Sequence, residues 1–315
     1  MRAHNALLML GAALLFVYAV LLVVAPFLFD RSWQSLLYLT LYFVCLSVAW
    51  NLFSGFSGYV NFGFVAFIGI GMYAAVIAII DLKVAPALGY LIGGCASAVF
   101  AAVISYPVLR IRGAYFSIAM LAVAEGVRIL VSTDYLEPFT RGGSGVAVPA
   151  GSFFQQYMSM MVLTVIAIAV SAIFAQSRLG LSLIAVREDE AAADGLGVNT
   201  TLVKIAAFVV SAFFAGAAGG IHATFVHYID PQAAFDIKFT ILPIVMTIFG
   251  GLGTVLGPVV GGIVLELISD TSWLYLGRMS MTVFGLILVA LILWLPDGVI
   301  VRLKEAGRLP RTRML

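Results

Sequence analysis

Formally charged side chains are scarce in this sequence, so the few that cluster are where chemistry has to be sought. The densest group is Arg187-Glu188-Asp189-Glu190, followed by Ala191-Ala192-Ala193-Asp194-Gly195-Leu196-Gly197. A cation followed by three acids suits an exposed surface that exchanges charge-assisted hydrogen bonds with another protein. The alanines beside it allow close helix packing, and Gly195 and Gly197 permit a tight turn. A solvated linker has the same composition and needs no function. Glu125 and Arg128 stand three positions apart inside an apolar run, so a helix brings them together. Charge at membrane depth invites a functional explanation, although stabilising the outer end of their helix is the simpler role. His222 and His227 lack a credible third ligand and do not make a metal site. Glu266 lies in a stretch whose depth the sequence leaves open.

A second set of positions is built from glycine and one amide. Gly58, Asn61, Gly63, Gly69 and Gly71 form one group, and Gly250, Gly251, Gly253, Gly257 and Pro258 form the other. Such residues permit broken or closely packed membrane helices, the kind of backbone that borders a translocation route. Asn61 could contact a solute or tie down its own helix, and the second reading is the simpler. For the glycines a backbone role is more credible than recognition.

The elements that must position these residues follow from composition. The chain has 315 residues, of which 63% are hydrophobic and only 10% charged, and its mean hydropathy is +1.12. A soluble surface would need more charge, so the sequence describes an all-α polytopic membrane protein rather than a soluble enzyme. Its formal charge of +2 indicates no nucleic-acid surface. Cys45 and Cys95 lie in apolar stretches and read as isolated thiols.

Uncharged runs predict spans over Ala6–Phe29, two within Arg31–Asp81 joined by Ser54–Gly63, and single spans over Val84–Leu109, Ala114–Val131, Tyr157–Ala175 and Ile205–Tyr228. Phe239–Ile268 is expected to be broken near Gly250-Gly251-Leu252-Gly253, and Met279–Pro296 closes the series. Arg178, Arg187 and Lys204 lie in one loop; Arg302, Lys304, Arg308, Arg311 and Arg313 lie in the tail. Both segments are therefore expected on the cytoplasmic side, which requires an even number of crossings between them. About ten crossings with broken or re-entrant helices satisfy this. Trp33, Trp273, Tyr275 and Trp294 suit interfacial anchors. Within the loop, an amphipathic helix starting at Arg178 is expected to turn Leu181, Ile184 and Ala185 toward an apolar neighbour.

Several ordered motifs resemble one family. They are Asn51–Tyr73 with GFSGYVNFGFVAFIGIGMY, Leu109–Glu125 with LRIRGAYFSIAMLAVAE, Ser177–Gly197, and Lys204–Gly220 with KIAAFVVSAFFAGAAGG. Gly250-Gly-Leu-Gly-Thr-Val-Leu-Gly-Pro258, Phe284-Gly-Leu-Ile and Leu295-Pro-Asp-Gly298 complete the set. The chain resembles, over nearly its whole length, the LivM family of branched-chain amino-acid ABC-transporter permeases. The resemblance implies a single permease domain over residues 1–315 with inverted-repeat architecture, in the bacterial inner membrane. The segment 178–204 would contain a cytoplasmic coupling element of Arg187, Glu188, Asp189, Glu190, Ala191, Ala192, Gly195 and Gly197, and 302–315 would be a basic cytoplasmic tail.

The implied partners are a related second permease, two cytoplasmic ATPase subunits, an external solute-binding protein, membrane lipid and a small-molecule cargo, with no nucleic acid. No cofactor or metal is expected on this chain, because none of Lys83, Lys204, Lys238 and Lys304 is followed by the Ser or Thr of a Walker sequence. ATP and magnesium would be bound by the ATPase partners, making this a non-catalytic subunit. Uptake of another amino acid or a small amide is the alternative, and an ion-coupled secondary transporter is a further one.

Overall fold

The computed structural model describes residues 30–276 except 134 and 150, together with 282, 285, 286, 298–300 and 302. The spans expected over Ala6–Phe29 and Met279–Pro296, and the tail beyond 302, lie outside the described residues. Within them the chain is a helical bundle. In order of sequence it contains α1 (Arg31–Trp50), α2 (Phe64–Ile80), α3 (Pro86–Val108), α4 (Ala114–Val131) and the short α5 (Glu137–Thr140). There follow β1 (Val146–Ala147), α6 (Phe153–Gln176), α7 (Arg178–Glu188), α8 (Glu190–Gly195) and α9 (Thr200–Val226). The last elements are β2 (Tyr228–Ile229), α10 (Pro231–Ala234), α11 (Lys238–Gly250) and α12 (Leu256–Leu276).

Among the described residues, six segments are long and apolar enough to cross a membrane: Ser32–Gly55, Pro86–Val108, Ala114–Val131, Phe153–Gln176, Thr200–Val226 and Pro231–Gly250. α2, at 17 residues, is a shorter apolar helix. A bilayer offers no water to the backbone, so each segment satisfies its amides internally, and the chain is a multi-pass membrane protein. The connection between α4 and α6 carries α5, a 3₁₀ turn at Gly142–Ser144 and β1. There β1 pairs antiparallel with β2, Val146 opposite Ile229. This small ladder, absent from the all-α expectation, fixes the connection to the end of α9.

The core is formed where α2, α3 and α9 meet. Lipid tails are as apolar as leucine, so hydrophobicity gives little reason for one helix to prefer another, and close backbone approach decides instead. A Cβ on Gly71 would come within 2.2 Å of the Gly216 carbonyl oxygen, and one on Gly93 within 2.5 Å of the Gly71 carbonyl oxygen. Larger side chains fill the space around this contact, with Phe67 and Phe208 edge to face at 5.1 Å between centroids.

Two interruptions matter for function. The helix begun by α1 passes through a π-helical turn at Asn51–Gly55 before the chain turns back, and such turns mark a local change of helical register. On the other side of the chain, α11 ends at Gly250 and α12 begins at Leu256, leaving a short connector between them.

Candidate functional site

α7 and α8 lie at one end of the bundle, each started by a side-chain cap. Ser177 Oγ accepts from the Gly180 amide at 3.2 Å, and Asp189 Oδ1 accepts from Ala191 and Ala192 amides at 2.8 and 3.0 Å. Asp189 is thus the cap at the junction of the two helices as well as an exposed acid. The buried face of α7 is Gly180, Leu183 and Val186, whereas Leu181 is exposed and Ile184 and Ala185 are half-buried. This corrects the expected face of Leu181, Ile184 and Ala185. Leu179, Leu181, Leu183, Ile184 and Val186 surround most of so short a helix, so periodicity alone does not choose a side.

The last turn of α7 is fastened to the first interruption, which is itself tied to the second. Arg187 Nη1 donates to the Gly55 carbonyl at 3.0 Å, one of the terminal carbonyls that lack a donor within their own helix. Its aliphatic stem covers Gly58, where a Cβ would lie 3.0 Å from Cγ. Asn51, fully buried in the π turn, ties that turn to the connector: Oδ1 accepts from the Gly253 amide at 2.9 Å and Nδ2 donates to the Thr254 carbonyl at 2.8 Å. Gly253 holds φ +73°, and a Cβ there would be 2.9 Å from Arg187 Nη1, so glycine answers both the backbone and the space.

A second junction begins one residue into α8. Glu190 Oε1 accepts from Lys204 Nζ at 2.7 Å, Oε2 accepts from the Tyr59 hydroxyl at 2.5 Å, and Arg112 lies 3.7 Å away. Lys204 is 2% exposed and also donates to the Leu109 carbonyl at 3.3 Å. Burial alone would raise the Glu190 pKa, but hydrogen bonds from Lys204 and Tyr59 and the charges of Lys204 and Arg112 outweigh it. The carboxyl therefore titrates below its ordinary value. The Tyr59 hydroxyl moves the other way, raised first by burial and then by its bond to Glu190. Lys204 was expected in the loop with the span starting at Ile205; instead α9 begins at Thr200 and takes the lysine into the fold, which the Glu190 partnership makes tolerable.

The other residues expected in the coupling element stay at the surface. Glu188, Ala191, Ala192, Gly195 and Gly197 are exposed, Gly197 at φ +86°, and beside them Leu196 is 85% exposed. Of the glycine and amide set, Asn61 is buried and serves backbone geometry: Oδ1 accepts from the Gly63 amide at 3.0 Å, and its carbonyl accepts from Trp50 Nε1 at 3.0 Å. Gly63 lies against Met120 of α4, Gly69 against Phe235 and Gly71 against Gly216, while Gly250 and Gly257 pack on each other and Gly251 borders Gly257. Pro258 is buried in the first turn of α12.

Between the two junctions a cavity of about 990 Å³ opens beside α4, lined among others by Tyr59, Phe62, Ser117, Leu121, Arg187 and Ile241. His222 stacks on Tyr42 at 4.2 Å between centroids within the core, whereas His227 is exposed. Among the described residues no three His, Cys, Asp or Glu side chains gather as a metal site would require. Sequence reasoning passed over Asn51, Tyr59 and Thr254. Asn51 had a visible signal, an amide late in an otherwise apolar span, but nothing local reveals a partner some 200 positions away.

Residues 32–292 match the family model described as branched-chain amino acid transport system / permease component. The high-affinity branched-chain amino acid transport system permease protein LivM of Salmonella typhimurium is 26% identical, over 91% of this chain and 74% of that protein. LivM of Escherichia coli is 26% identical over 89% and 73%, and LivH of Escherichia coli is 24% identical over 82% and 91%. No solved structure matches the chain.

Proposed function

This chain belongs to the family of branched-chain amino acid transport permease components, and from that premise we propose that it couples ATP-driven uptake through the α7–α8 element. As a member it is a non-catalytic permease subunit of a branched-chain amino acid ABC transporter, and it spans the inner membrane several times. The proposed cargo is a branched-chain amino acid, whose aliphatic side chain suits an apolar route while its charged backbone needs polar contacts. ATP and magnesium belong, on this reading, to two cytoplasmic ATPase subunits, and an external binding protein delivers the cargo. That LivM and LivH of Escherichia coli both align with this chain supports a related second permease as the remaining partner. Ten crossings, an inverted repeat and a single domain with a basic cytoplasmic tail complete the proposal.

The observation that carries the coupling assignment is the bond from Arg187 to the Gly55 carbonyl, with Asn51 extending the connection to Gly253 and Thr254. An ATPase that moves α7 and α8 thereby moves the π turn and the α11–α12 connector together. Ligands shift such an equilibrium only through differential contacts with the two states, and exposed Glu188, Ala191, Ala192 and Leu196 offer those contacts.

The test is reconstitution with both permeases, the ATPase subunits and the binding protein. Wild type should take up leucine only with ATP. Arg187→Met removes a charge-assisted hydrogen bond at a partly exposed site, worth about 1–2 kcal/mol. We expect it to lower uptake several-fold while ATPase association and hydrolysis persist. Normal uptake per ATP in that variant would remove Arg187 from the coupling route; ion-driven uptake by the isolated chain would favour a secondary transporter.

A further inference from the structure

α3 packs on α2 and α9 through one side: Ser97 Oγ donates to the Phe67 carbonyl at 2.7 Å, and a Cβ on Gly94 would come within 2.9 Å of Phe213. Its outward side carries Leu88, Ile92, Cys95, Val99, Val103 and Tyr106, all exposed. At 3.6 residues per turn these fall within about 80° of arc. From Leu88 to Val103 the stripe lines an open groove of about 750 Å³, in which Cys95 is the one side chain that is not hydrocarbon. The small Cys95 and Ala96 lie between the larger Ile92 and Val99 in that lining.

At the end of the stripe the chemistry changes. The Arg110 guanidinium lies 4.0 Å from the centre of the Tyr106 ring and donates to its hydroxyl, yet Arg110 has no carboxylate partner among the described residues. It borders a second cavity, of about 390 Å³, with Arg112, Lys204, Glu190, Asp194 and Thr201 also in the lining. Three cations there face two acids. Glu190 is held by Lys204 and Tyr59, and Arg112, its side chain 69% exposed, stands off at 3.7 Å. Because Arg112 reaches α8, this cavity belongs to the end of the bundle expected in the cytoplasm.

Exposed guanidinium groups at the edge of the hydrocarbon suit an anion held at that depth, and the apolar groove running on from them suits an aliphatic chain. One molecule supplies both. We propose that this face of α3 binds an anionic phospholipid, with the headgroup phosphate on Arg110 and Arg112 and one acyl chain along Val103, Val99 and Cys95. The lengths agree: Cys95 stands about 16 Å along the helix axis from Tyr106, and the hydrocarbon of one leaflet is about 15 Å thick. Tyr106 then sits at the boundary between headgroups and chains, where an aromatic ring with a polar tip is favoured. Through Arg112 the headgroup also tethers the start of α8 to the membrane surface. The site requires the membrane-spanning fold and is independent of the cargo.

The experiment uses the full chain in detergent micelles, with Cys95 as a native reporter because Cys45 is buried. Phosphatidylglycerol should raise the thermal midpoint and slow alkylation of Cys95 by a lipid-soluble maleimide several-fold. Phosphatidylcholine and chain-free glycerol phosphate at the same concentrations should do neither. Arg110→Gln combined with Arg112→Gln should weaken phosphatidylglycerol binding, read as retained lipid by native mass spectrometry, about tenfold or more. Lys at both positions should restore most of it. Val99→Trp leaves every charge in place and should also weaken binding by filling the groove; it decides the question should the double Gln variant fail to fold. Equal effects of the two phospholipids overturn the headgroup assignment, and full affinity in Val99→Trp overturns the groove. Shielding of Cys95 by an added second permease subunit, with no effect of phosphatidylglycerol, would make this face a subunit contact and overturn the lipid site.

Discussion

Arg187, Glu188, Asp189 and Glu190 stand side by side in the chain yet do four different things. Arg187 holds a helix-terminal carbonyl, Asp189 caps α8, Glu190 binds Lys204 and Tyr59, and Glu188 remains exposed. Neutralising all four would therefore confound folding with partner contact. Glu190 permits a cleaner test. Its folded pKa lies below the ordinary value, so its contribution is fully present above the unfolded pKa and disappears as pH falls through the lowered folded one. We expect the segment 189–199 to resist proteolysis across the neutral range and to open only in acid below the usual carboxylate range. Lys204→Met should remove the acid dependence and destabilise the junction by about 2 kcal/mol, because Glu190 loses its nearly buried partner. Limited proteolysis against pH reads both outcomes; an unchanged acid transition in Lys204→Met would show that another group controls it.

Helix positions are set by backbone contact more than by side-chain shape. The junction of α2, α3 and α9 depends on Gly71 and Gly216, where an added Cβ meets carbonyl oxygen rather than a movable side chain. Gly71→Leu should prevent that approach and cost at least about 3 kcal/mol, comparable to severe overpacking. Gly126→Ala on α4 meets nothing within 4 Å and should be neutral or slightly stabilising, since glycine is the poorer helix former. Thermal midpoints in detergent compare the two, and a Gly71→Leu chain as stable as wild type would contradict the assigned packing. The glycine runs were visible in the sequence. Which glycine faces which helix was not, because small residues at membrane-helix contacts leave no directional pattern.

At the scale of the whole molecule, the bundle has one end carrying α7, α8, Gly55 and Gly253, and another carrying the β1–β2 ladder. Arg178 and Arg187 at the first end predict a cytoplasmic location, and Asp81 in the α2–α3 connection predicts the opposite side. Single-cysteine labelling in sealed cells should find Arg187→Cys protected and Asp81→Cys accessible from outside. Labelling of both from the same side would require a different set of crossings. The orientation matters mechanically, because on the proposed function it would put the Arg187 junction within reach of a cytoplasmic ATPase.

The sequence by itself determined that this is a polytopic helical protein, since sparse charge and long apolar runs exclude a soluble surface. It also placed the four described spans between Pro86 and Val226 within about five residues of their observed ends, marked the break at Gly250, and carried motifs ordered enough to indicate the permease family. These properties are local or cumulative along the chain. Tertiary structure decided what the marked residues touch: Asn51 meets Gly253 and Thr254 across about 200 positions, and Glu190 recruits Lys204 from what looked like loop charge. It also chose the buried face of α7 and joined Glu125 to Arg128 in an exposed ion pair. The physical reason is that an apolar bilayer removes the polarity pattern that orients helices in water, leaving hydrogen bonds and backbone proximity between distant segments to make the choice.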